Sequence, residues 1–537
     1  MKTSNTLSIF ILLITVLLFG AISSSSAQER FLGKIEFPVS CSKDVQKDFN
    51  TAVSLLHHMM YAQSKAEFEK VINKDPECSM AYWGVAMTLF HPMWAPPSKE
   101  ELAEGQKALE KAKELKPGTD RENGYVDAAW AFYDDWPNKD HAARIAAWNA
   151  GQKQLVDSNP DDVDAKAFYA LSLLATAPKK DKTFSNQKKA GLILEELLVS
   201  NPEHPGLFHY TIHAYDNPAL AERAVPVARG YDKLAPEVPH ALHMPSHIFV
   251  RLGIWDDTVD WNIRSAKAAK EQSQEVMSLH YLHAVDYLIY AYMQKGQYQK
   301  VTELIEIVNG IPEYQDSFAS AYALASAEPR YQLERKNWKE AAKVTERPNP
   351  NFQWDKYPQY EAIIYYSRGL GAAMSGDVVA AKISKAKLDQ LYENTVSNNE
   401  EYWSTVVDAQ RQTVGAWIEY AEGNKAVGLN MMSAAADLED SVDKHPVTPG
   451  AVMPAREMYA EMLIMSEQPA EALKAYEASL KISPNRFNSL YGAGYTAELS
   501  GDSKKAVKYY SELVKLTSQA DTERAEVKHA KEYSAKN

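Results

Sequence analysis

A helix-forming grammar that returns every 34 residues constrains this chain more than any single residue does. Ala472, Tyr476, Ser479 and Pro484 are followed 34 residues later by Ala506, Tyr510 and Leu513. The same order runs through Ala190, Leu194, Leu197 and Pro202, and again through Ala224, Ala228, Tyr231 and Pro236. Each member has a physical task. The small residue lets two helices approach, the large side chain fills the gap beside it, and the proline stops the second helix because it has no amide hydrogen. One such helix pair cannot bury its apolar face alone, so successive pairs must stack. The rest of the chain agrees. From Gln46 onward apolar residues recur at three and four positions, as on a helix. Breaks at Gly253-Ile254-Trp255, Gly296-Gln297-Tyr298, Lys336-Asn337-Trp338, Gly376-Asp377, Gly423-Asn424 and Gly501-Asp502 separate apolar helices from their partners.

This spacing resembles the tetratricopeptide repeat. The resemblance implies an all-α helix–turn–helix solenoid, a right-handed superhelix that could close on itself. The chain is also similar, over nearly its whole length, to a family of exported bacterial tetratricopeptide-repeat proteins. The shared blocks are FPVSC…LLHHMMY…DPECSMAYWGVAM between Phe37 and Met87, a central HALHMPSHIFVRLG, and HPVTPGAVMPAREMYAEML…PNRFNSLYGA between His445 and Ala493. That family brings no assigned reaction, so the resemblance speaks to fold more than to function. The expected organisation is a signal peptide over residues 1–27, an N-terminal repeat block over 28–100 and central repeats over 101–300. Less regular repeats over 301–450, a C-terminal repeat pair over 451–516 and a charged, fraying tail over 517–537 complete it.

The N-terminus reads as a targeting segment. Lys2 precedes an apolar run from Ile9 to Ile22, and Ser25-Ser26-Ala27 supplies small residues for cleavage. The run is too short for a comfortable membrane span, so a periplasmic or secreted protein is expected. Its removal takes away one positive charge from a chain of net charge −13. That acidity argues against nucleic acid or an anionic membrane as the main partner. In an exported chain, Cys41 and Cys78 without CxxC spacing read as one disulfide, with two buried thiols as the alternative.

Function points to the histidines. Eight of the fourteen lie between His204 and Asp286. Spacings of three and four place His209 with His213, and His240 with His243 and His247, on single helix faces. Imidazole is the commonest metal ligand and titrates near neutrality. In tetratricopeptide repeats the first helix of each unit lines the concave groove, through places two, five and nine. With units starting at Pro205, Pro239 and Leu282, place five reads His209, His243 and Asp286, and place nine reads His213, His247 and Tyr290. His209, His213, His243, His247 and Asp286 are therefore the expected metal set, for zinc, copper or iron. His280 falls just before its unit begins.

Asp216, His240, Arg251, His283, Tyr290 and Arg330 would face the groove beside the ion. Trp83 and Glu457 sit at matching places in distant units, Trp83 reading equally as a packing aromatic and Glu457, with Glu461, as a solvated side chain. His57, His58 and His91 read as structural. Three readings compete for the cluster: a metal site, a metal-free polar groove, and hydrogen bonding between packed helices. The first two make a binding module for a metal, peptide, glycan or small molecule. The alternative is a metal-dependent enzyme, hydrolytic in type, in which the ion activates water and His213 or His240 is the base. There is no GxGxxG, Walker or GxSxG motif to name another chemistry. Geometry separates these readings: a closed pocket favours metal, an open trough favours a peptide.

Overall fold

Prolines set where the inner helices begin. Helices Pro205–Tyr215, Pro239–His243, Pro245–Leu252 and Pro358–Met374 each carry proline in the first turn, where a missing amide hydrogen costs nothing. The computed structural model describes residues 31–536, and the expected signal peptide lies outside them. Among the described residues the regular structure is helical throughout, without a strand. No helix there is long and apolar enough to cross a membrane.

The helices pair in chain order, inner then outer, as a tetratricopeptide-like solenoid. The small–large grammar is visible in the packing. Ala472, Tyr476 and Ser479 are buried on one outer helix, and Ala506, Tyr510 and Leu513 on the next. A Cβ on Gly492 would fall 2.2 Å from the Tyr476 ring, and one on Gly494 2.6 Å from that of Tyr510.

The superhelix closes on itself twice. In the first turn, helix Gln46–His57 returns against helix Pro205–Tyr215. There His57 Nδ1 lies 2.9 Å from the Tyr210 hydroxyl and His58 Nδ1 2.9 Å from that of Tyr231. Gly206 permits the approach, since a Cβ would meet His57 Nδ1 at 2.4 Å. In the second turn the C-terminal repeats fold back onto the middle of the chain. Trp255 Nε1 donates to the Asn485 carbonyl at 2.9 Å, and Asn485 Nδ2 to that of Gly253 at 3.2 Å. Gly253 sits at φ +64° with the Pro484 carbonyl 2.4 Å from where a Cβ would be, so both backbone and space require glycine. Helix Leu279–Gln294 lies where the turns meet and is buried at every position from His280 to Gln294.

Two expectations change here. Residues 517–537, expected to fray, include helix Ala525–Lys536, with Val527 and Ala530 buried. It is held because Arg524 donates to the Tyr298 hydroxyl at 2.9 Å. Trp83 does not line a groove: it is buried in an aromatic core, stacked on Phe37 at 5.6 Å between ring centroids. The cysteines form a disulfide, Cys41–Cys78.

A buried histidine chamber as candidate metal centre

Closure of the two turns converts the groove into a chamber. His209, His213, His240, His243, His247, His280 and His283 are all buried. Their rings form a chain of contacts, with centroids 4.9 Å apart for His209–His213, 5.0 Å for His209–His240, 5.9 Å for His213–His247 and 4.1 Å for His243–His283. No open trough of imidazoles is present among the described residues. The segment after Asp443 threads between the inner helices. The Tyr287 hydroxyl donates to the Pro446 carbonyl at 3.0 Å, and the Tyr322 hydroxyl lies 2.6 Å from Thr448 Oγ1.

Within the chamber the nitrogens gather into two sets, His243–His247–His283 and His209–His213–His240, each with ligand atoms within 4.8 Å of one another. Two members of the first are held by fixed partners. Asn262 Nδ2 donates to the Thr258 carbonyl at 2.7 Å, which turns its Oδ1 toward His243 Nδ1 at 2.7 Å. His243 must then carry its proton on Nδ1. His247 Nδ1 faces Asp216 Oδ2 at 3.1 Å, and a carboxylate only accepts. Both rings consequently present a bare Nε2, and these two atoms lie 3.1 Å apart. Two lone pairs at that distance repel unless a cation sits between them.

Asp216 is the anchor of this wiring. Arg251 Nε donates to its Oδ1 at 2.8 Å and Lys444 Nζ lies 3.3 Å from its Oδ2. Burial opposes its charge, but Lys444, Arg251 and His247 outweigh burial and hold the carboxyl well below the usual carboxylate range. Arg251 is itself clamped by Asp443, at 3.1 and 3.0 Å. Burial lowers the imidazole pKa values, assisted by neighbouring rings for His240 and His243, well below the usual value, and for His213, to about 3; burial alone takes His280 to about 4. The rings are neutral at pH 7, the form that binds metal.

Several expected members belong elsewhere. Asp286 joins neither set, because Ser326 Oγ donates to its Oδ1 at 2.9 Å and Arg330 pairs with it at 3.4 Å. Tyr290 turns away to Arg486, whose guanidinium donates to its hydroxyl at 2.9 Å. Glu457 is neither solvated nor groove-facing, being paired with Arg486 at 2.8 Å in a buried network. Glu461 is half-buried and bonded to Lys336. His57 and His204 converge on Asp164, at 2.9 and 3.1 Å, and both nitrogens of His57 are already partnered.

Sequence reasoning missed residues that arrive from outside the inner-helix register. A cavity of about 30 Å³ is lined by His213, His240, His247, His280 and His283, but also by Met93, Trp94 and His445 from loops. Asn262 comes from an outer helix and Lys444 from the threaded segment. A larger apolar and aromatic pocket of about 310 Å³ lies beside the chamber, reaching Arg251, Tyr402, Asp443 and Lys444.

No protein-family model matches the chain, and no curated protein matches it. Among solved structures it is similar to the human IFIT1 dimer with m7Gppp-AAAA, at 13% identity and a TM-score of 0.37, covering 82% of this chain and 90% of that one. A monomeric IFIT1 mutant with m7Gppp-AAAA gives 14% identity and a TM-score of 0.37, covering 89% and 96%. So loose a likeness bears on neither the ligand nor the chamber of this protein.

Proposed function

We propose that this protein is a metal-binding solenoid and that its ion sits on His243, His247 and His283. The observation that carries the reading is the pair of bare Nε2 atoms 3.1 Å apart, their protons committed to Asn262 and Asp216 on the far side of each ring. A carboxylate or amide behind a ligating imidazole fixes its tautomer and raises its basicity. The all-nitrogen donor set suits zinc, copper or iron and does not suit magnesium or calcium, which take oxygen. The Cys41–Cys78 disulfide supports placing the protein in an oxidising compartment, periplasmic or extracellular.

Elemental analysis of purified protein beside a His243→Ala/His247→Ala variant tests this. A variant that holds about one equivalent of metal less than the parent is the expected result. A parent protein that is metal-free and takes up no zinc, copper or iron on reconstitution overturns the reading.

A further inference from the structure

The chamber's other imidazoles repeat the first set one unit earlier. His209 and His213 lie 34 residues before His243 and His247, so each pair is spaced i, i+4, the first on one inner helix and the second across the junction of helices Pro239–His243 and Pro245–Leu252. Each couple is completed by one histidine from the next inner helix, His240 in one case and His283 in the other. We propose that His209, His213 and His240 hold a second ion, making the chamber a two-ion centre, and that both ions are cuprous copper. This builds on the reading that the first set binds metal.

Unpartnered nitrogens carry the second site. His209 Nδ1 donates to the His57 carbonyl at 2.7 Å, so its Nε2 is the bare atom, and that atom is buried without a partner. Both nitrogens of His213 and both of His240 are likewise buried and unpartnered. Five unsatisfied imidazole nitrogens in one place are costly in a packed interior unless something binds them. The backbone carbonyl of His57 does for His209 what Asn262 does for His243. The 30 Å³ cavity is lined by members of both sets, His213 and His240 from one and His247 and His283 from the other. It has room for about one water-sized bridging ligand.

Charge selects the ion. Imidazole ligates a metal as a neutral base, and no carboxylate belongs to either set. The nearby charged groups already offset one another, Asp216 and Asp443 against Arg251 and Lys444. Two dications would bring four positive charges into the interior, against two for monovalent ions, with no carboxylate in either set to offset them. The cost of burying an ion rises with the square of its charge, so monovalent ions are favoured. Of the metals that imidazole binds well, copper offers a stable monovalent state, and three neutral nitrogens suit its low coordination number. Met93, lining the cavity, adds a soft thioether to that environment.

Anaerobic titration of metal-free, full-length protein with copper(I), against bicinchoninate as competitor, tests the proposal. Two equivalents should bind the parent, one should remain in His209→Gln/His240→Gln, and one in His243→Gln/His247→Gln. A single equivalent that survives the first variant and is lost in the second overturns the second site while leaving the first intact. No uptake of any metal overturns both. Two equivalents of zinc(II) held in preference to copper(I) overturn the choice of ion. Because the variants could misfold, anomalous scattering at the copper edge from parent crystals gives an independent answer: two peaks in the chamber support the pair, one overturns it.

Discussion

The histidine chamber and the network around Arg486 are both polar interiors built on inner helices, yet they differ in how their atoms are satisfied. Arg486 spends its donors on Glu457 at 2.8 and 3.0 Å, Glu334 at 2.8 Å and the Tyr290 hydroxyl at 2.9 Å. Asn488 Nδ2 adds a bond to Glu334 Oε2 at 2.9 Å, and Ser489 one to Glu457. Opposite charges are paired, and the partners are protein groups. In the chamber, five nitrogens of His209, His213 and His240 have no protein partner, and two bare nitrogens of His243 and His247 confront each other. A closed network of that kind fixes how two turns dock. The chamber's arrangement costs stability on its own, a cost that the proposed ions would offset.

Acidification should expose this contrast most strongly. His58 and His213 are pushed to about 3 and His280 to about 4, chiefly by burial, from an ordinary value near 6.5. The unfolded chain therefore takes up protons that the folded one refuses. Stability from these groups is fully present above pH 6.5 and is lost as pH falls toward 4 and 3. At pH 5 each contributes a loss of about 2 kcal/mol. Urea midpoints of metal-free protein should fall steeply from pH 7 to 5, and a flat profile would contradict the neutral chamber. Glu334 has the opposite sign: burial raises its pKa, so it favours stability at low pH and does not add to the acid loss.

Arg486→Met should come next in size. It strands Glu334 and Glu457 in the interior, a loss of about 3–5 kcal/mol, read by equilibrium unfolding, with metal content per folded molecule unchanged. A loss below about 1 kcal/mol would remove the distinction between the two regions. His240→Leu should have the smallest effect and the reverse sign. It replaces two unpartnered nitrogens with methyl groups of similar bulk, so metal-free protein should be unchanged or more stable by about 1 kcal/mol. A loss of more than about 2 kcal/mol would show that His240 has a structural role.

The register of the site was legible because the repeat is. Helices begin at Pro205 and Pro239, where the proline stops place them, and that alone puts His209, His213, His243 and His247 on facing positions. The third unit slipped. Ser278 caps helix Leu279–Gln294 by accepting from the His280 amide, three residues before the expected start at Leu282. His280 thus belongs to the helix and lines the cavity, while Asp286 faces Ser326 and Arg330 instead of the imidazoles. His445, Lys444 and Met93 were invisible as site residues because loops obey no period. Their placement depends on tertiary closure, through contacts such as Tyr287 to Pro446. The carboxylate reading of Glu457 failed for a similar reason, since its partner Arg486 lies on a different repeat.

That His209 is oriented by the carbonyl of His57, 152 residues earlier in the chain, has a kinetic meaning. Arg251 likewise waits for Asp443, 192 residues later. Contacts between such remote residues form late, after the local helical hairpins, because loop closure is slow to reward. The chamber is thus among the last parts of the molecule to assemble, and a half-made chain offers only scattered imidazoles. An ion captured there is drawn from the surroundings in which folding finishes, whatever metals the nascent chain met before.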